Sequence, residues 1–157
     1  MINLDDASTP QERLALEIFK AMDDGRILEA IPELTTEDFV WSNSGLPDLK
    51  GQKEVIALLS SGGFANEIPI LAEMTHFTAD LVHIASSGDT VFTERIDHHW
   101  AADGRDLMTP HICGVVEIRG DKIARLHDFY DTAVYQQEPT EVQAGFALAE
   151  RHPERVG

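Results

Sequence analysis

The chain has a single cysteine in 157 residues. With Cys113 alone no disulfide framework can form within the chain, and the residue is expected to act as a small apolar filler. Basic residues are scarce as well: 12 lysines and arginines stand against 28 aspartates and glutamates, a formal charge of −16. Such a surface repels phosphate backbones and anionic bilayers, which argues against nucleic-acid or membrane partners and favours solubility. No run of about 18 apolar residues occurs, so no segment is expected to span a bilayer. The opening MINLDDASTP has neither the basic flank nor the apolar stretch of a signal peptide, and a cytoplasmic location is expected. Metal motifs are also missing. No H-x-H or H-E-x-x-H spacing occurs, and the adjacent His98 and His99 would point to opposite faces of a strand, so no metal site is expected. The segment Ser61-Gly62-Gly63 lacks the lysine of a phosphate loop and reads as a helix stop.

What remains is a chain with 43% hydrophobic residues, enough for one core, with no repeat, low-complexity tract or linker. A single domain over 1–157 follows. Thr9, Pro10 and Glu12 form an N-cap, a first-turn proline and a capping-box acid. Leu14, Ile18, Phe19 and Met22 then recur at helical spacing. GRILEAIPEL predicts a short second helix limited by Pro32, DFVWSN a short strand, and GQKEVIALLSS a third helix ended by Gly62-Gly63. From about residue 72 the period changes to two. Strands are expected at 73–84, 90–101, 106–118 and 122–131, with turns at Ser87-Gly88-Asp89, Asp103-Gly104 and Gly120-Asp121. Residues 139–157 predict a last helix and a frayed tail. The fold class is therefore α+β: N-terminal helices on a curved antiparallel sheet, a meander of three hairpins.

The stretch TERIDHHW, residues 93 to 100, places charge inside one of these strands. Alternation puts Thr93, Arg95, Asp97 and His99 on one face and Phe92, Ile96 and Trp100 on the other. The second face needs apolar cover, so the charged face points to solvent or into a cavity beneath the helices. A solvated Arg-Asp pair would be worth under about 1 kcal/mol. Two strands later, however, Leu126, Asp128 and Tyr130 share a face while His127 and Phe129 share the other. A second carboxylate thus reaches the same sheet. One guanidinium can hold one acid through two N–H bonds and still reach another, leaving two carboxyl groups in different protonation states. That is equipment for acid–base catalysis. His111 and His127 fall on the outer face, at a surface or dimer contact, and Glu94 is expected to be solvated or interfacial.

The stretch VFTERIDHHWAADGRDLMTPHICGVVEIRGDKIARLHDFYD resembles the catalytic half of limonene-1,2-epoxide hydrolases, within the nuclear-transport-factor-2-like superfamily that also holds ketosteroid isomerases and polyketide cyclases. R-x-D followed some thirty residues later by DFYD carries the resemblance, which extends more loosely from the first helix through DFVWSN. It implies a cone-shaped domain and cofactor-free addition of water to an epoxide through an Asp-Arg-Asp triad. By position, Asp97 would protonate the epoxide oxygen, Arg95 would bridge, Asp128 would activate water and Asn43 would help to hold that water. Trp41, His99, Pro110, Ile112, Leu126 and Tyr130 would line the pocket. Two positions depart from the family. Trp41 replaces a tyrosine, and an indole N–H donates a hydrogen bond but cannot accept one. His99 replaces an apolar residue and adds a titratable group beside Asp97. Both departures favour an alternative: a cofactor-free lyase, isomerase or dehydratase acting on an aromatic or polycyclic substrate. A non-catalytic binding domain is a third class, disfavoured by the cost of holding two acids beside a buried arginine. The expected partners are a small-molecule substrate and a second copy of the chain, docked through Phe92, Ile96, Trp100 and Phe129.

Overall fold

A computed structural model of the chain describes residues 1–136; the helix and tail expected at 139–157 lie outside these. Three helices, α1 (Pro10–Asp23), α2 (Ile27–Leu34) and α3 (Gln52–Ser60), pack on an open six-stranded sheet. Its strands are β1 (Thr35–Asn43), β2 (Leu49–Lys50), β3 (Met74–Ser87), β4 (Thr90–Ala101), β5 (His111–Arg119) and β6 (Lys122–Phe129), in the order β2-β1-β6-β5-β4-β3. None of the described helices is long and apolar enough to cross a membrane.

The start of α1 follows its capping residues. Thr9 Oγ1 accepts from the Glu12 N–H at 3.1 Å, and the Glu12 carboxylate accepts from the Ser8 N–H at 2.7 Å and the Ser86 hydroxyl at 2.8 Å. One acid thereby caps the helix and ties it to β3. The apolar stripe Ala15, Leu16, Ile18 and Phe19 is fully buried against the sheet. Pro32 sits inside α2, which ends two residues later, where the Thr35 hydroxyl donates to the Ile31 carbonyl at 2.6 Å.

Strands β3 to β6 form the expected meander. Two of its turns are two residues long, and Gly88 and Gly120 there take φ of +61° and +66°, as tight hairpins require. The third connection differs from the sequence expectation. Residues 106–110 do not begin a regular strand: Asp106 makes one isolated bridge to Trp100, and β5 starts only at His111. Pro110 has no N–H to donate to a ladder, and the Asp106 carboxylate turns back to accept from the His99 N–H at 3.0 Å. Leu107, Met108 and Thr109 are consequently buried.

Alternation along the strands could not reveal how β1 joins the sheet. It runs parallel to β6, with Asn43 beside Asp128 and Trp41 beside Leu126. The sheet is therefore mixed, antiparallel everywhere except at this pair.

Candidate active site

Across the inner face of the sheet, Thr93 of β4, Gly114 of β5, Asp128 of β6 and Asn43 of β1 stand side by side. Arg95 and Asp97 follow Thr93 along β4 on the same face. Gly114 carries no side chain, so the Arg95 side chain crosses over it to the next strand. The guanidinium donates from Nε and Nη2 to the two oxygens of Asp97, at 3.1 and 3.0 Å. From Nη1 it donates to Asp128 Oδ1 and Thr93 Oγ1, both at 3.1 Å. Arg95 is 1% exposed, and each acid is 5% exposed. Phe19 of α1 covers the cation from the helix side, its ring centroid 4.0 Å from Cζ.

Fully ionised, this group would bury one net negative charge, and two carboxylates so placed favour sharing a proton. Their surroundings differ. Asp97 accepts two charged N–H bonds and Asp128 one. Burial pushes the Asp128 carboxyl up, Arg95 pulls it back only in part, and the charge of Asp97 raises it further. The surroundings of Asp128 therefore favour its protonated form more than water would. Arg95 remains charged: burial opposes this, but the two carboxylates outweigh it and raise its pKa.

Both acids form part of the wall of a cavity of about 350 Å³ that is also lined by Trp41, Asn43, His99, Pro110, Ile112 and Tyr130. Its remaining walls are mostly apolar, among them Met22, Leu59, Phe64, Phe77 and Met108. The volume suits a small ligand. Of the expected lining residues, Leu126 is the exception. It is fully buried in the main core beneath the site, packed in the cluster that includes Trp41 and Phe39. Arg95 is also absent from the wall, lying behind the acids that it holds.

At Asn43 a chain of hydroxyls decides the orientation of the amide. Tyr135 Oη donates to the Ser44 carbonyl at 2.6 Å, so the 2.5 Å contact between the two phenols is donated by Tyr130. The same Tyr130 Oη lies 3.3 Å from Asn43 Oδ1; with its single proton engaged by Tyr135 it has none left for that oxygen, and exchanging the amide's O and N lets the phenol accept from the NH₂ and leaves the carbonyl oxygen available. Burial and the contact with Tyr135 keep the Tyr130 phenol protonated. Trp41 makes no side-chain hydrogen bond among the described residues. Its indole edge-packs on Phe64, it is 7% exposed, and its N–H is buried.

Four residues that the sequence reading did not assign complete the site. They are Thr93 and Phe19 on the guanidinium, Gly114 beneath it and Tyr135 behind Tyr130. Gly114 had a signal: a glycine inside a strand marks the close approach of another group. On the outer face Cys113 is exposed rather than a core filler. Glu94 accepts from His83 and His111, both at 2.7 Å, and His127 stacks on Phe129. The apolar outer patch is smaller than expected. Ile96 is buried against Val82, and Trp100 stacks between His76 and His98 with its N–H on Thr78 Oγ1, leaving Phe92 and Phe129 exposed at 43% and 45%.

Solved structures share this architecture. A Mycobacterium tuberculosis epoxide hydrolase like the limonene enzymes is 19% identical over 81% of this chain and 86% of its own, with a TM-score of 0.65. An NTF2-like protein of unknown function from Cytophaga hutchinsonii is 15% identical over 81% and 95%, with a TM-score of 0.61. A putative SnoaL-like polyketide cyclase from Jannaschia is 11% identical over 83% and 94%, also at 0.61. At these identities the likeness speaks for the fold, which is NTF2-like. The sequence is more specific, since residues 11–138 match the model of the limonene-1,2-epoxide hydrolase catalytic domain. With most of its length matched, the chain belongs to the limonene-1,2-epoxide hydrolase family.

Proposed function

We propose that the cavity is the active site of a cofactor-independent epoxide hydrolase acting on a small or medium hydrophobic epoxide. The observation that carries this reading is the single buried guanidinium holding Asp97 and Asp128 at one end of an apolar cavity beside Asn43. When substrate seats against Asp97, the shared proton moves to that acid. Asp97 then donates it to the epoxide oxygen as one C–O bond breaks. A water held by Asp128 and the Asn43 carbonyl oxygen attacks the carbon, giving its proton to Asp128, and the product is a vicinal diol. Turnover ends with the proton on Asp128, whose burial favours holding it, and its return to Asp97 resets the site. Arg95 touches both acids throughout, so the charge beside the reaction is constant.

The partial occupancy of the cavity wall by His99 favours a second reading, a lyase, isomerase or dehydratase that moves a proton through Asp128 or His99. Turnover in ¹⁸O-labelled water separates the two. A hydrolase incorporates label in every product molecule, whereas unlabelled product ends the hydrolase reading. We also propose a homodimer through the outer sheet face, where Phe92 lies beside Val115 and Phe129 beside Cys113. A strict monomer in sedimentation at micromolar concentration rules this out.

A further inference from the structure

We infer that the substrate carries a hydroxyl group in addition to its reacting centre, and that His99 accepts a hydrogen bond from it. This rests on the cavity being the substrate site, as proposed above. His99 lines the cavity two residues beyond Asp97 on β4. One edge of its ring is committed: Nδ1 lies 2.7 Å from the Met108 carbonyl, and a carbonyl only accepts, so Nδ1 carries the proton. A neutral imidazole with its proton on Nδ1 has a lone pair on Nε2. Among the described residues Nε2 has no hydrogen-bond partner, and the ring is held edge-on to Phe77 at 5.3 Å between centroids.

The neutral form is the stable one here. Burial lowers the His99 pKa and the neighbouring His98 opposes its charge, outweighing the Met108 carbonyl, Asp97 and Asp106, which favour it. The cavity therefore offers a fixed acceptor within a largely apolar wall of Phe77, Met74, Met108 and Ile112. A ligand without a donor leaves that acceptor unpaired and dry. A hydroxyl satisfies it, and sites built to bind a substrate hydroxyl discriminate strongly against the analogue lacking one. Successive same-face residues of a strand lie about 7 Å apart. The hydroxyl consequently sits several bonds from the epoxide, which makes the substrate class an epoxide with a remote alcohol or phenol.

The test uses ligands that cannot react. Binding of 4-propylphenol and propylbenzene to the whole protein is measured by calorimetry, and the ratio of their Kd values is compared between wild type and His99→Leu. The ratio should shift against the phenol by at least 10-fold in the variant, whose fold is checked by circular dichroism. Independently of any substitution, ¹⁵N NMR of the wild-type imidazole should show Nε2 unprotonated, and its resonance should move with 4-propylphenol but not with propylbenzene. An unchanged ratio, a protonated Nε2, or a cavity that binds neither compound overturns the inference. Because neither ligand is an epoxide, the result is independent of hydrolysis. Asp97→Asn should keep the phenol preference even while losing turnover, and a protein that shows the preference without any ¹⁸O incorporation has lost only the hydrolase reading.

Discussion

The Arg95 guanidinium occupies the space that a side chain at Gly114 would need. A Cβ added at 114 would meet Arg95 Nη1 at 2.5 Å, Thr93 Oγ1 at 2.6 Å and Asp128 Oδ1 at 2.9 Å. All three are polar atoms already joined in one network, so none can retreat without breaking a bond to another. Gly114→Ala is therefore expected to cost about 1–3 kcal/mol in denaturant unfolding, the range of overpacked interiors. It should also lower kcat by 100-fold or more by dislodging the arginine, a magnitude typical of lost acid–base positioning. A variant with wild-type turnover would show that the bridge is not used.

The two acids are expected to fail separately. Asp97→Asn and Asp128→Asn are nearly isosteric, and each should lower kcat by about 10²–10⁴ with the fold intact. Arg95→Lys should fail as well, because an ammonium cannot grip Asp97 with two N–H bonds and also reach Asp128. The rate should be bell-shaped in pH. On the acid side it rises as the pair loses its first proton and gains a base, and on the alkaline side it falls as the shared proton is lost. The two apparent pKa values belong to the pair rather than to either residue. Burial of Asp128 moves the alkaline limb above the usual carboxylate range.

Tyr135 never needs to touch substrate to matter. If the phenol chain holds the Asn43 amide with its oxygen available, Tyr135→Phe frees the Tyr130 proton, which then donates to that oxygen and turns the amide over. The expected result is a fall of about tenfold in kcat with little change in KM, the cost of misplacing one hydrogen bond to the water. Adding Tyr130→Phe should cost little more, since the two tyrosines act as one unit.

On the outer face, His98 donates to Asp106 at 2.6 Å and to Asp80 at 3.3 Å and stacks on Trp100. Burial works against its charge, but these two carboxylates raise its pKa to about 9, and Asp80 is itself lowered to about 2, chiefly by His98. The α-amino group of Met1, 2.6 Å from Asp80, shares that acid. Because the folded-state pKa is above the unfolded value of about 6.5, the stabilisation is complete below pH 6.5 and disappears as pH rises to 9. The loss of Asp80 and Asp106 as partners should make His98→Gln melt about 3–6 °C below wild type at pH 6. Thermal melts should show the gap narrowing by pH 9.5; a constant gap would mean that the contacts act without the charge.

Residues that act through period, capping and composition were legible in the chain alone. The Thr9-Pro10 start of α1, the meander with its glycine turns, the shared face of Arg95, Asp97 and His99, and the return of Asp128 all follow from rules that extend only a few residues along the chain. The R-x-D and DFYD segments that carry the family resemblance are legible for the same reason, each being local, and the family match itself extends over residues 11–138. Long-range register is not local. Only the folded sheet set β1 parallel to β6, which put Asn43 beside Asp128 and sent Leu126 into the core rather than the cavity wall. Only the fold placed Gly114 between Thr93 and Asp128 so that an arginine could lie across it, and only the fold closed Ile96 under Val82. The difference in surroundings between the two acids was decided at the same level. Both are equally buried aspartates on the same face, and what distinguishes them is the count of guanidinium bonds each receives, a quantity that exists only when distant strands are packed together.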